Sequence, residues 1–342
     1  MSDFGHSDAS CREGVAAYDT HGRLTHWGGR RCSLASAATN PEPATPVRTR
    51  ESPYDDAPTH RRPRDPRERT SFVAQQARSR ARTRKGARRT GAAVVAVANQ
   101  KGGVAKTTSV ASLGAAFAEL GRRVLLVDLD AQACLTFSLG VDPDGVATSI
   151  NEVLLGKADA TEALIACEDG VDLLPSVIEL AGAEAQLLPR PGREYVLRSA
   201  LEPLLDSYDI VLLDCSPSLG VLTLNALTAA RGLVIPMPCE MLSHRGVGQL
   251  LDTVADVQRI LNPDLDVLGI LPTMFDGRSN HAQAVLADVG ERYELPVLEP
   301  PIPKTVRFAE APAVGRSILT TSRSSKGAQA YRDVAAGLLT RL

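Results

Sequence analysis

The sequence contains no pair of cysteines at C-x-x-C spacing; its six, Cys11, Cys32, Cys134, Cys167, Cys215 and Cys239, are scattered singly. That scatter argues against both a zinc site and a disulfide framework and predicts reduced thiols. Long apolar runs are also missing. No stretch reaches the roughly 18 to 20 apolar residues that a membrane-spanning helix needs, and the opening MSDFGHSDASCREG lacks the apolar centre of a secretory signal. Together these absences predict a cytoplasmic protein. No internal repeat is evident. Net charge is nearly absent, at −2, but unevenly divided. Residues 1–91 hold 18 Lys and Arg against 10 Asp and Glu, and the remainder holds 20 against 30, so a basic tail precedes an acidic body.

From Met1 to about Thr90 the chain is rich in Ser, Pro, Arg and Gly without sustained periodicity. Too little apolar surface is available there to offset ordering entropy, so residues 1–91 are expected to be a disordered, Arg-rich tail and 92–342 the folded domain. Within the tail, HRRPRDPRER and RSRARTRKGARR concentrate cations between His60 and Arg89, either as a solvated segment or as a nonspecific contact to nucleic acid.

After Gly91 short apolar bursts alternate with helical patterns. AVVAVAN, RRVLLVDLD, VDLLPS, YDIVLLDCS, GLVIPMP and VLGILPT are Val/Ile/Leu-rich and bounded by turn residues, as expected of strands buried on both faces. Between them, residues 107–120, 193–205 and 244–261 read as helices. Strand, crossover and strand in repetition predict a doubly wound, mostly parallel α/β sheet with helices on both faces.

Between the first strand and the first helix lies NQKGGVAKTTS, residues 99–109. It departs from the phosphate-loop pattern G-x-x-x-x-G-K-[ST], since Gln100 and Ala105 stand where the two glycines belong. The chemistry is nonetheless present. Gly102 and Gly103 let backbone N–H groups turn toward an anion, the helix N-terminus adds its dipole, Lys106 reaches β/γ-phosphates and the Thr107 hydroxyl suits Mg²⁺. The next strand ends in Asp128 and Asp130, whose spacing of two is expected to aim both into one pocket. Asp214 follows four apolar residues in YDIVLLD, the position of an acid oriented on Mg²⁺ and its water.

KGGVAKTT, VLLVDLDAQA, DCSPSLGVLTLNAL, TMFDGRSN and IPKTVRFAEAPAVG, in that order, resemble the motifs of the ParA/Soj chromosome- and plasmid-partitioning ATPases, P-loop NTPases of the MinD/ParA superfamily. The resemblance runs from about Val94 to Leu342. That family has a deviant Walker A motif, K-G-G-x-G-K-[ST], so the loop is built to a different rule rather than broken. The resemblance implies ATP and Mg²⁺ as cofactors, with Lys101, Gly102, Gly103, Val104, Ala105, Lys106, Thr107, Thr108, Asp214, Met274 and Pro303 at the nucleotide and Thr107, Asp130 and Asp214 at the metal. It makes Lys101 the signature lysine that reaches the phosphates of the other subunit, Lys106 the in-cis lysine and Gly102 a position where bulk obstructs the dimer. Asp130 becomes the acid that orients water, with Asp128 its switch neighbour. Arg278 and Arg307 become nonspecific DNA contacts. A homodimer in the ATP state, a ParB-like stimulating partner and a nucleoid-associated location follow from the same likeness.

Three positions depart from the family pattern. Ala105 replaces a usual glycine, which costs about 1 kcal/mol if the residue needs positive φ and predicts slow turnover. Ala131 and Ser216 stand where proline is common and touch no catalytic side chain. Two alternatives remain open at this stage: a MinD-like membrane-associated positioning ATPase, and a nucleotide-dependent DNA-binding scaffold with little hydrolysis. The last helix carries an apolar stripe of Tyr331, Val334, Ala335, Leu338, Leu339 and Leu342, which reads as core packing because its polar face holds few cations. His244 and His281 lack partner spacing and read as surface or cap residues.

Overall fold

The computed structural model describes residues 91–240 and 244–342, together with a short antiparallel pairing of Ala17–Tyr18 with Leu24–His26 that belongs to a separate unit. Apart from that pairing, the expected tail and its arginine clusters lie outside the described residues.

Seven strands form one sheet: β1 Ala93–Val97, β2 Val124–Leu129, β3 Ile165–Ala166, β4 Asp172–Leu174, β5 Ile210–Cys215, β6 Gly232–Pro238 and β7 Asp266–Thr273. Their order is β3-β4-β2-β5-β1-β6-β7, parallel throughout except for the β3–β4 pair. The helices are α1 Lys106–Glu119, α2 Cys134–Ser138, α3 Ile150–Leu155, α4 Leu180–Leu187, α5 Val196–Leu201, α6 Val221–Ala229, α7 His244–Ile260, α8 Asn280–Tyr293, α9 Arg307–Glu310, α10 Ile318–Thr321 and α11 Lys326–Leu339. The doubly wound expectation holds, with β1 at the point where the strand order reverses and a crevice opens for ligands.

Continuous apolar strands arise because both faces are covered. Along β1, Val95 and Val97 enter one buried cluster while Val94 and Ala96 enter the other, and along β2 Leu126 opposes Leu125 and Val127 in the same way. Side chains alternate across a strand, so only a two-sided burial permits such a run. The stretch 193–205, expected as one helix, is α only over Val196–Leu201 and becomes 3₁₀ at Arg193–Tyr195 and Glu202–Leu204. Pro203 supplies no N–H and cannot continue an α-helical ladder.

The final helix packs as expected. Tyr331, Val334, Ala335 and Leu338 are buried, with Leu339 and Leu342 partly buried against the same cluster. Arg332 holds both carboxylate oxygens of Glu119 at the end of α1, at 2.6 and 3.0 Å. The apolar stripe is thus already occupied by the protein's own core. Among the described residues no helix is long and apolar enough to cross a membrane.

Helix α1 lies unusually close to β2: a Cβ added at Gly114 would come within 2.7 Å of Leu126 Cδ2, and Leu126 is fully buried. Gly114→Val is therefore expected to destabilise the domain by about 1–3 kcal/mol through overpacking. Chemical denaturation of the variant checks this, and an unchanged midpoint would contradict such close packing.

Candidate functional site

Strand register assembles the site. β5 lies between β1 and β2, and its pairing sets Asp214 level with Val97 on one side and Asp128 on the other. The loop leaving β1 therefore begins beside Asp214, at the carboxyl edge where α/β sheets bind ligands.

That loop, residues 98–105, enters α1 through two left-handed residues, Gly103 at φ 70° and Ala105 at φ 69°. The position expected to favour glycine does require positive φ, and alanine occupies it. Val104 is fully buried and its carbonyl accepts the Thr273 hydroxyl from the end of β7 at 3.1 Å, which pins the loop to the far side of the crevice. Lys106 is 7% exposed, its Nζ donating to the Lys101 carbonyl at 3.2 Å. Burial lowers its pKa, opposed by the charges of Asp214, Cys215 and Asp130.

A pocket of about 580 Å³ opens over the loop, lined by Gly102–Thr108, Asp130, Met274 and Pro303. Lys101 does not line it. Its side chain is 40% exposed and its ammonium pairs with Glu240 at 3.2 Å. Met274 is a second strained residue on the wall, at φ 52°; such strain in non-glycine residues collects at binding sites. Cys134, Lys304, Thr305, Phe308 and Tyr331 also line the pocket. Single-residue sequence reasoning had not placed them there. Lys304, Thr305 and Phe308 fall inside the motif IPKTVRFAEAPAVG that carries the family resemblance, whereas Cys134 and Tyr331 carry no such signal.

The three acids divide by environment. Asp128 is fully buried and accepts from the Thr136 N–H and hydroxyl at 2.9 and 2.8 Å and from the Asp130 N–H at 3.1 Å. It does not project into the pocket beside Asp130, contrary to the spacing argument, because β2 ends at Leu129 and alternation stops there. Asp130 sits in the turn, where its side chain accepts from the Gln132 N–H and its carbonyl from the Ser176 hydroxyl. Asp214 is buried with neither carboxylate oxygen hydrogen-bonded. The Thr107 hydroxyl lies near enough to favour its ionised form in part, without a bond of ordinary geometry, while burial and the Asp128 charge push its pKa well above the usual carboxylate value. An orphaned buried carboxylate costs several kcal/mol unless a cation meets it. A magnesium ion beside Thr107 answers that requirement, so the residues fit the group. Among the described residues no group of three or more His, Cys, Asp or Glu side chains is placed to hold a metal ion.

Arg278 and Arg307 are both exposed and do not line the pocket. Their segments are laced together: Phe275 pairs with Pro303, the Phe275 N–H donates to the Ile302 carbonyl and the Lys304 N–H donates to that of Phe275. Arg307 also pairs with Glu310 at 3.7 Å. Behind it, Phe308 meets Tyr331 edge-on at 5.8 Å, and the Tyr331 hydroxyl bonds Ser109 of α1 at 2.9 Å. His281 is exposed near the start of α8.

A doubly wound sheet, a lysine-bearing loop at the switch point and an orphaned acid beneath it define a P-loop ATPase that takes ATP with Mg²⁺. A family profile described as an AAA domain matches residues 92–267. Sporulation initiation inhibitor protein Soj of Bacillus subtilis is 43% identical over 71% of this chain and 96% of its own, and chromosome partitioning protein ParA of Myxococcus xanthus 41% over 72% and 88%. The chain belongs to the ParA/Soj family of partitioning ATPases. A solved structure of cobyrinic acid a,c-diamide synthase from Mycobacterium smegmatis with ADP and magnesium is 57% identical, covers 73% of this chain and 95% of that one, and superposes with a TM-score of 0.67. The septum site-determining protein MinD of Pyrococcus horikoshii with Mg-ADP is 26% identical over 72% and 96%, with a TM-score of 0.60.

Two outcomes follow from this geometry. Ala105→Gly relieves the left-handed strain and is expected to raise stability by about 1 kcal/mol, or roughly 2–4 °C in Tm, with nucleotide binding retained. A lower Tm would show that the strain is not there. Burial lifts Asp128 to about 6 from 3.8, so its proton is held more tightly folded than unfolded. Stability from this group is intact in acid and is lost as pH rises from about 4 through 6. Relative to Asp128→Asn, the nucleotide-free wild type should lose stability over that window, and a pH-independent difference would refute the assignment.

Proposed function

We infer that ATP and Mg²⁺ join two copies of this chain into a sandwich dimer that binds DNA without sequence preference, and that hydrolysis releases both. The observation that carries this reading is the placement of Lys101. It is a cation in the phosphate loop yet outside its own pocket, its ammonium held only by an exposed pair with Glu240 and so within reach of a second triphosphate whose charge would otherwise be unpaired. Gly102 supports it: a Cβ there would meet nothing within 4 Å and its φ is not left-handed, so no constraint inside the chain calls for glycine. The facing copy supplies one.

In this reading Thr107, Asp130 and Asp214 would hold Mg²⁺, which would supply positive charge against the phosphates. Asp130 orients the attacking water, and Lys106 in cis and Lys101 in trans stabilise charge on the transferred phosphoryl group. Arg278 and Arg307, doubled by the dimer, track phosphates. A ParB-like partner that stimulates turnover and a nucleoid location follow from the family. Ala105 favours slow turnover, which keeps a scaffold with little hydrolysis as the second reading. The occupied stripe of α11 speaks against membrane attachment through that helix.

The name of the Mycobacterium smegmatis relative points to amide formation. An activated thiol of the kind that releases ammonia from glutamine needs a lowered pKa. Burial instead raises Cys134, Cys167, Cys215 and Cys239, with Cys167 and Cys239 at about 11.

DNA binding with ATP, ADP or no nucleotide across a salt series tests the switch. ATP alone should promote binding, Lys106→Ala should abolish it, and Arg278→Ala should flatten the log–log salt slope by roughly two, since each dimer loses two phosphate contacts worth about 0.9 each. Binding that ignores nucleotide would end the proposal.

A further inference from the structure

Lys101 is gripped at three points. Its N–H donates to Asn99 Oδ1 at 3.0 Å, its carbonyl accepts from Lys106 Nζ at 3.2 Å, and its own Nζ donates to Glu240 Oε2 at 3.2 Å. Asn99 is 2% exposed, and its Nδ2 donates to the Pro236 carbonyl in β6 at 2.7 Å. One carboxamide therefore ties the loop after β1 to the neighbouring strand. Glu240 lies two residues past the end of that strand. Two restraints on Lys101, one on its backbone and one on its ammonium, thus come from β6 and its exit.

The space around the grip is tight. A Cβ on Gly246 of α7 would approach Asn99 Oδ1 to 3.0 Å and Lys101 Cβ to 3.6 Å. The backbone side is buried and permanent, whereas the ammonium side is exchangeable: Lys101 and Glu240 are 40% and 61% exposed. An exposed pair of this kind shifts an equilibrium at most roughly fivefold and weakens with salt. Charge-assisted bonds to a phosphate are stronger.

We propose that Asn99 and Glu240 are positioning residues for Lys101: in the nucleotide-free chain they park its ammonium beside the exit of β6, outside its own nucleotide pocket, until the triphosphate of a second copy draws it away. Asn99 is the fixed anchor and Glu240 the releasable one. The proposal rests on the use of Lys101 across the dimer, and the experiment separates the two ideas.

A water-soluble carbodiimide joins a carboxylate and an amine in contact into an amide, and digestion with mass spectrometry quantifies a Lys101–Glu240 link within single full-length chains. The link is expected in wild type without nucleotide and with ADP. It should be absent in Glu240→Gln and reduced at least threefold in Asn99→Ala, with Asn99→Ser as the milder variant should the alanine protein fail to fold. ATP with Mg²⁺ should suppress it in wild type. No link in wild type, or an equal yield in the Asn99 variants, overturns the parking role. A link that responds to the variants but ignores ATP upholds the parking role and refutes transfer of Lys101 across the dimer.

Discussion

The parallel pairing of β5 between β1 and β2 is the constraint on which the site depends. It brings Val97, Asp214 and Asp128 to one level at the carboxyl edge of the sheet, so the phosphate loop, an orphaned acid and a hydrogen-bonded acid converge from three separate segments. Burial there is nearly complete. A buried carboxyl without a donor either holds its proton or meets a cation, and Asp214 lies where an ion accompanying ATP would meet it.

Two lysines five residues apart illustrate how that frame divides labour. Lys106 opens α1, is buried, and is held at the wall of the pocket by the left-handed turn at Ala105. Lys101 precedes the turn and faces outward onto Glu240. Loop, charge and sequence neighbourhood are shared; what differs is which side of the backbone turn each residue occupies. The strain of Ala105 and Met274 persists because the flanking backbone is held, at Val104 by Thr273 and at Phe275 by Ile302 and Lys304.

The far end of the chain closes the same pocket. Through Tyr331 to Ser109 and Arg332 to Glu119, α11 is fastened to the helix that begins at Lys106. Phe308, between the nucleotide wall and Tyr331, joins the Arg307 segment to that helix. Nucleotide pocket and arginine face are consequently parts of one packed unit.

Much of this was legible in the residues alone. Uninterrupted Val/Ile/Leu runs announced strands covered on both faces, and KGGVAKTT with Asp130 and Asp214 announced phosphate and metal chemistry, because those signals are local in the chain and periodic. The stripe of the last helix was readable for the same reason. Other features needed the tertiary structure. Spacing placed Asp128 beside Asp130 in the pocket, but the end of β2 and the Thr136 donors turned it inward. Pro203 broke a helix that hydrophobic period alone had extended. Tyr331 reached Ser109 of α1, Glu240 reached Lys101 and Asn99 reached Pro236 through contacts across 222, 139 and 137 residues. Sequence by itself determined which elements form and which chemistry the loop carries, since both depend on near neighbours. Which side chain lines the pocket, and which is held away from it, was decided by the packing of distant strands.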